Sequence, residues 1–397
     1  MTMTTTTTTT SMLLPRLILY CSLVAHIIKG IGPSESELPD GVYLNPKGLQ
    51  AQSIEGKPFA AGFMFGFAGV CGDLEFKRDA HNLMRLEMYY ARADNSCCKC
   101  FATADAKKDA SMAYDDLRLS ARWRLTILNT PMYLALAKGR DALTPFSEIE
   151  GFAWELDLDD DLHLQYQGIA PDLVGSVLMV LVQREWYGTG SLATKLERAH
   201  ACAVEWAKGR MFLPDWTPAN MGLGLSHQAF PEMAGKAAVI KFLVGFFASE
   251  AYLFRIANPE SAEAGDLASV TFGLAEYARV TDGCGEVMEE EAVEKAVQAA
   301  RTFQQSYTAL RHASIEKDLN LFKIRPKFHT WEHQILLMLW THWNPKCWSC
   351  WMDEDFMGKL RGIVSKTRAR GKATISSSLK RYMWCPYIHI YTFFLTD

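Results

Sequence analysis

The stretch 174–320 is written almost throughout in a helical pattern, and this limits the folds open to the chain. Residues 174–186 form an apolar run, VGSVLMVLVQREW, longer than an average strand, and read as a buried helix. In 191–208 the apolar residues Leu192, Leu196, Ala199, Ala203 and Trp206 recur at helical spacing with charges between them. Residues 237–254 are apolar nearly all round, broken only by Lys241 and Glu250, as expected of a helix inside a core. Residues 289–318 carry Val293, Ala296, Ala300 and Phe303 on one stripe and predict a long amphipathic helix. The chain shows no internal repeat, so a solenoid is not indicated.

The regions on either side read differently. Residues 1–11 are a threonine-rich, low-complexity tract expected to be disordered. Residues 12–57 form an N-terminal segment that opens with the apolar run 12–28 and continues as a Gly-, Pro- and Ser-rich loop. The run 12–28 fits a buried helix or strand. A secretory signal or membrane anchor is the other reading, against which stand Pro15, Arg16 and the lack of a small-residue cleavage site. Residues 59–71 are apolar and glycine-rich and suit a buried strand that ends in Gly72-Asp73. Residues 79–93 and 103–117 look helical or mixed. With helices elsewhere, this gives a mixed α/β class, helix-rich overall. It divides into a first part at 58–173, a helical insertion at 174–320 and a C-terminal part at 321–397.

Composition is that of a folded chain: 49% hydrophobic and 22% charged over 397 residues, enough for one large or two ordinary domains. The net charge of -4 does not advertise nucleic-acid binding, but the charge is unevenly placed. Seven acidic residues and no basic one lie in 148–161, whereas eight basic residues and no acidic one lie in 359–381. Ten cysteines spread over this length do not make a disulfide scaffold. They fit a reducing, nuclear or cytoplasmic compartment. Nothing points to a small-molecule substrate, and a membrane role is not expected.

Four constellations are capable of chemistry. Cys97 and Cys100 form a C-x-x-C pair, half the ligand set of a structural Zn2+, and Cys347 with Cys350 repeats the spacing far downstream. Asp160 and His163 stand three apart, on one face of a helical turn, where they suit a metal or each other. His329-Thr330-Trp331-Glu332-His333 matches H-x-x-E-H, a zinc-peptidase pattern with Glu332 as general base, although the Pro326-Lys327-Phe328 before it gives no sign of an apolar helix. Finally, Glu354 precedes a segment bearing Lys359, Arg361, Lys366, Arg368, Arg370 and Lys372. Such a run can neutralise several phosphates and makes DNA a candidate partner.

Taken in order, these pieces resemble the core of eukaryotic cut-and-paste DNA transposases of the CACTA and hAT types. The matching pieces are Gly72-Asp73, Cys97/Cys100, Asp160/His163, the helices of 174–320, Pro326-Lys327-Phe328-His329, and Glu354 with Gly358 and Leu360. The resemblance covers roughly residues 60–382. It implies an RNase H-like core interrupted by a helical insertion, and three carboxylates holding Mg2+ for DNA cleavage and strand transfer. Asp73 would match the second carboxylate and Glu354 the third. For the first, Asp40 is the only stand-in, in loop-like surroundings. The resemblance therefore implies a truncated or catalytically impaired transposon-derived protein with residual DNA binding. A non-enzymatic nucleic-acid or protein-binding module and a zinc metallopeptidase are the alternative readings.

Overall fold

The computed structural model describes residues 70–72, 77, 81, 97–104, 110–138, 143–148, 152–208 and 230–351. The chain divides into two compact units, Met1–Trp348 and Ser349–Asp397. Of the second unit only residues 349–351 are described. The expectations placed on 1–11, 12–57, Asp40, Asp73, Glu354 and the six basic residues from Lys359 to Lys372 lie outside the described residues.

The first unit is a helix-rich mixed fold. In chain order its regular elements are β1 (Val70–Gly72), α1 (Thr130–Lys138), β2 (Asp157–Asp159), α2 (Asp161–Leu164), α3 (Ala170–Gln183), α4 (Leu192–Ala207), α5 (Ala237–Ala257), α6 (Ala262–Gly283), α7 (Glu290–Glu316) and α8 (Pro326–Thr341). The two strands pair in parallel with Val70 opposite Asp157 and Gly72 opposite Asp159. A parallel pair requires a long crossover, and here the whole of 73–156 lies between the strands.

Among the described residues of 174–320 the helical pattern is realised, with one helix more than its stripes announced. α6 has no narrow apolar stripe, because it is sandwiched. Leu267, Val270, Leu274 and Tyr277 are all buried, and the helix packs on both α5 and α7. Its approach to α7 is close at Gly273, where a Cβ would stand 2.7 Å from the backbone nitrogen of Phe303 and 2.8 Å from the carbonyl oxygen of Ala299. α5 is the one helix among the described residues long and apolar enough to cross a membrane, but half of that apolar window is buried inside the protein. Its contacts with α3 and α6 account for its composition as that of a core helix.

In 103–117, which the sequence reads as helical or mixed, the described residues hold an isolated bridge between Thr103 and Ala113 and a 3-10 turn at Ala110–Met112. The segment before His329 departs from expectation. Pro326 does not precede a loop but opens α8, at a first-turn position where its missing N–H costs nothing. Phe328, Trp331, Ile335 and Met338 follow at spacings of three and four and are all buried. They supply the apolar face that the residues ahead of His329 lacked. Phe328 and Trp331 join Phe303 and Tyr307 of α7 and Tyr277 of α6 in an aromatic cluster with ring centroids 4.7–5.8 Å apart. α8 ends at His342, whose left-handed backbone (φ 60°) stops the helix.

Candidate metal centre

α8 is committed on one side to that aromatic core, so its other side decides what the helix can do. His329 and His333 are one turn apart on that side, and their Nε2 atoms lie 3.2 Å from each other. Facing them is the loop of Cys97 and Cys100. Cys100 Sγ is 3.1 Å from His329 Nε2, and Cys97 Sγ is 3.5 Å from His333 Nε2. The four ligand atoms all lie within 4.8 Å of one another, and all four residues are buried. The loop aims its sulfurs by backbone bonds: Lys99 N–H donates to Cys97 Sγ at 3.3 Å and Ala102 N–H to Cys100 Sγ at 3.4 Å.

These separations fit one ion. Zn–S bonds of about 2.3 Å and Zn–N bonds of about 2.0–2.1 Å at tetrahedral angles place sulfur and nitrogen about 3.5 Å apart and two nitrogens about 3.3 Å apart. Donor chemistry agrees, since two thiols and two imidazoles suit zinc. Burial, with His329 next to it, holds the His333 imidazole well below its ordinary range, which keeps it neutral and able to ligate. Cys98, between the pair, is not in the cluster. A hydrogen bond with Cys97, together with burial, pushes its thiol well up, so it stays protonated.

Around this set the packing is close. The Trp123 ring lies edge-on to His329 with centroids 4.2 Å apart, and 5.3 Å from His333. Glu332, between the histidines in sequence, points elsewhere. It is fully buried and engaged by Arg124 at 2.7 Å, by Gln304 Nε2 at 2.6 Å and by the Arg301 guanidinium. This arrangement answers the H-x-x-E-H pattern. The positions a catalytic zinc leaves for water are occupied by thiols, and the glutamate is bound to two guanidinium groups.

A second buried cluster adjoins the first. Asp157 and Asp159, two apart on β2, project to the same face and share the Lys77 ammonium at 2.8 and 2.5 Å. Lys99 Nζ reaches Asp159 at 2.5 Å, and His81 Nε2 reaches Asp157 at 3.2 Å. Burial on its own would lower the Lys77 ammonium, but the two carboxylates outweigh it and hold its pKa well above the usual value. Burial would raise Asp157, and Lys77, Lys99 and His81 together drive it far below the carboxylate range instead.

Asp160 and His163 are brought together, with each other. Asp160 caps α2 by accepting the Leu162 N–H at 3.1 Å, and its other oxygen bonds His163 Nδ1. Neither belongs to the Cys-His cluster. Cys347 does not either; it is exposed at the end of the first unit. The union of the two C-x-x-C pairs is therefore not what completes the Cys97/Cys100 set. The residues that face Cys97 and Cys100 are the histidines of H-x-x-E-H. The signal was present in the sequence as two half-sites, each short of two ligands. No protein-family model, curated protein or solved structure matches the chain.

Proposed function

We propose that the chain is a zinc-stapled scaffold of transposon-derived origin, in which Cys97, Cys100, His329 and His333 hold a structural Zn2+. The single observation that carries the metal reading is the buried four-ligand set itself, closed on every side by protein donors. The metallopeptidase reading needs an open coordination position and a free glutamate, and the geometry favours neither. The transposase resemblance draws support from order along the chain. A short strand ends at Gly72, the residue before Asp73 in sequence, and a cysteine pair, a capping Asp160/His163 pair, a helical block and the Pro326 helix follow. An RNase H-like core, Mg2+ chemistry through Asp73 and Glu354, and DNA contacts from Lys359 to Lys372 remain parts of that proposal.

Metal content of the purified full-length protein, measured by elemental mass spectrometry, tests the first part. One zinc per chain is expected, with loss in His333→Ala and Cys100→Ser. Protein that neither arrives with zinc nor takes it up on titration sinks the reading. A supercoiled-plasmid nicking assay tests the second part. Impaired catalysis predicts no magnesium-dependent nicking in wild type. Nicking that disappears in Glu354→Ala would instead establish an active enzyme. Salt-sensitive DNA binding without nicking would make the chain a binding module.

A further inference from the structure

Two residues that bind no metal sit beside residues that do, and both reach the same strand. Lys99 lies between Cys97 and Cys100. Its Nζ donates to the Asp157 carbonyl oxygen at 2.5 Å and to Asp159 Oδ2 at 2.5 Å, and stands 3.6 Å from Asp157 Oδ2. Gln334 directly follows His333, and its Nε2 donates to the Asp159 carbonyl oxygen at 3.4 Å. The strand they grip is only three residues long, and among the described residues its one ladder partner, β1, is equally short. Backbone pairing of that extent is a weak anchor. The position of β2 therefore depends on the side-chain contacts that hold it.

We infer that Lys99 is a positioning residue through which the metal centre sets the placement of Asp157 and Asp159. The inference rests on the zinc reading above. The physical reason is charge. Two buried carboxylates share two ammonium groups, Lys77 and Lys99, with His81 against Asp157. The Lys77 ammonium comes from a segment outside the metal loop, whereas Lys99 is fixed in space by the loop whose two ends are ligands. An ion that ties Cys97 and Cys100 to α8 fixes the Lys99 backbone, and with it half of the counter-charge. Releasing the ion frees the loop, and the two buried carboxylates are left with one ammonium, Lys77, and the His81 contact to Asp157. Uncompensated buried charge is costly, so β2 shifts or opens locally while the aromatic core of α6, α7 and α8 stays packed. Metal occupancy in this way governs whether the strand presents its carboxylates in their native arrangement.

Hydrogen exchange read by mass spectrometry on the full-length protein tests this, with zinc content measured on the same samples. Peptides covering β2 should exchange ~10-fold or more faster after zinc removal, as expected when a charge-assisted hydrogen bond is lost. Peptides from α6 should change little. Lys99→Met provides the decisive arm, because Lys99 is no ligand and the variant keeps its zinc. In it β2 should exchange fast whether or not zinc is bound, and Lys99→Arg should restore part of the zinc effect. If wild type binds zinc and β2 exchange is indifferent to zinc removal, or if Lys99→Met still shows the full zinc effect on β2, the coupling is wrong while the metal centre stands. If no zinc binds at all, the metal centre itself is lost.

Discussion

Asp161 illustrates how much a single buried group can impose. It opens α2 as a buried residue, and among the described residues its carboxylate accepts the Gln165 side-chain N–H at 2.5 Å. Burial pushes its pKa up to about 7 against the opposing Gln165 hydrogen bond, with the neighbouring Asp160 adding to the rise and Lys241 taking a little from it. The unfolded chain ionises this group near the ordinary carboxylate value, so between that value and about 7 the native state binds the extra proton. Stability from this group is therefore full in acid and falls as pH rises through that window. The slope it contributes is about 1.4 kcal/mol per pH unit at its steepest. Asp161→Asn should flatten the wild-type decline between pH 4 and 7 and be the more stable protein at pH 7. Denaturant midpoints measured across that range check it, and parallel profiles for the two proteins would refute the burial argument.

Glu332 makes the opposite case at the same scale. Its carboxylate is buried and fully engaged by Arg124, Arg301 and Gln304. Removing it leaves two guanidinium groups, each only partly exposed, without their counter-charge. Glu332→Ala should cost about 3–5 kcal/mol in urea unfolding, the usual cost of breaking such a pair from one side. The variant should keep its zinc, since Glu332 is no ligand. Loss of zinc at unchanged stability would instead place Glu332 in the metal centre.

Among the elements, α8 shows what a sequence discloses and what it withholds. Its helical character is legible in hindsight from Phe328, Trp331, Ile335 and Met338, but attention falls on Pro326-Lys327-Phe328, which resembles a loop entry until Pro326 is placed at the first helical position. The long helices α3, α4, α5 and α7 were legible because each has an apolar face or is apolar throughout. α6 was not, since a helix buried on two sides has no clean stripe. Both halves of the metal set were legible, as C-x-x-C and as H-x-x-x-H. Their union was not, because 229 residues separate Cys100 from His329 and no local pattern reports a contact at that distance. The Lys77, Lys99, Asp157 and Asp159 cluster was hidden for the same reason. In sequence, Asp157 and Asp159 are part of an acidic run whose simplest reading is a solvated loop, and only the lysines brought from elsewhere allow them to be buried. The α6–α7 crossing makes a test of packing. Gly273→Ala would place a methyl group within 3 Å of the α7 backbone at Ala299 and Phe303. The helices must separate, and a loss of ~1–3 kcal/mol in thermal or urea unfolding is expected, with zinc content unchanged.

For the whole molecule, an ion held by Cys97, Cys100, His329 and His333 would act as a cross-link. It would join a loop near the start of the described chain to a helix near the end of the first unit, across 229 and 236 residues. In the chain-entropy treatment of cross-links, closing a loop of that length removes unfolded-state freedom equivalent to about 5 kcal/mol. That is comparable to the whole stability of many domains. The aromatic core of α6, α7 and α8 does not need the ion to pack, because its contacts come from helices that follow one another closely in sequence. The segment 97–104 and the strand pair depend far more on the ion, since nothing local commits them to α8. Chelation should therefore produce a two-step response rather than uniform weakening. Circular dichroism at helical wavelengths should change little at 25 °C, while the urea midpoint falls and the transition broadens or splits. Limited proteolysis should then open the 97–128 region before it opens α6 or α7. Re-addition of zinc should restore a single sharp transition in wild type and fail to do so in His333→Ala. A chelated protein whose transition stays as sharp and as late as the zinc-loaded one would show that the fold closes this long loop without the metal, and that the four ligands contribute packing alone.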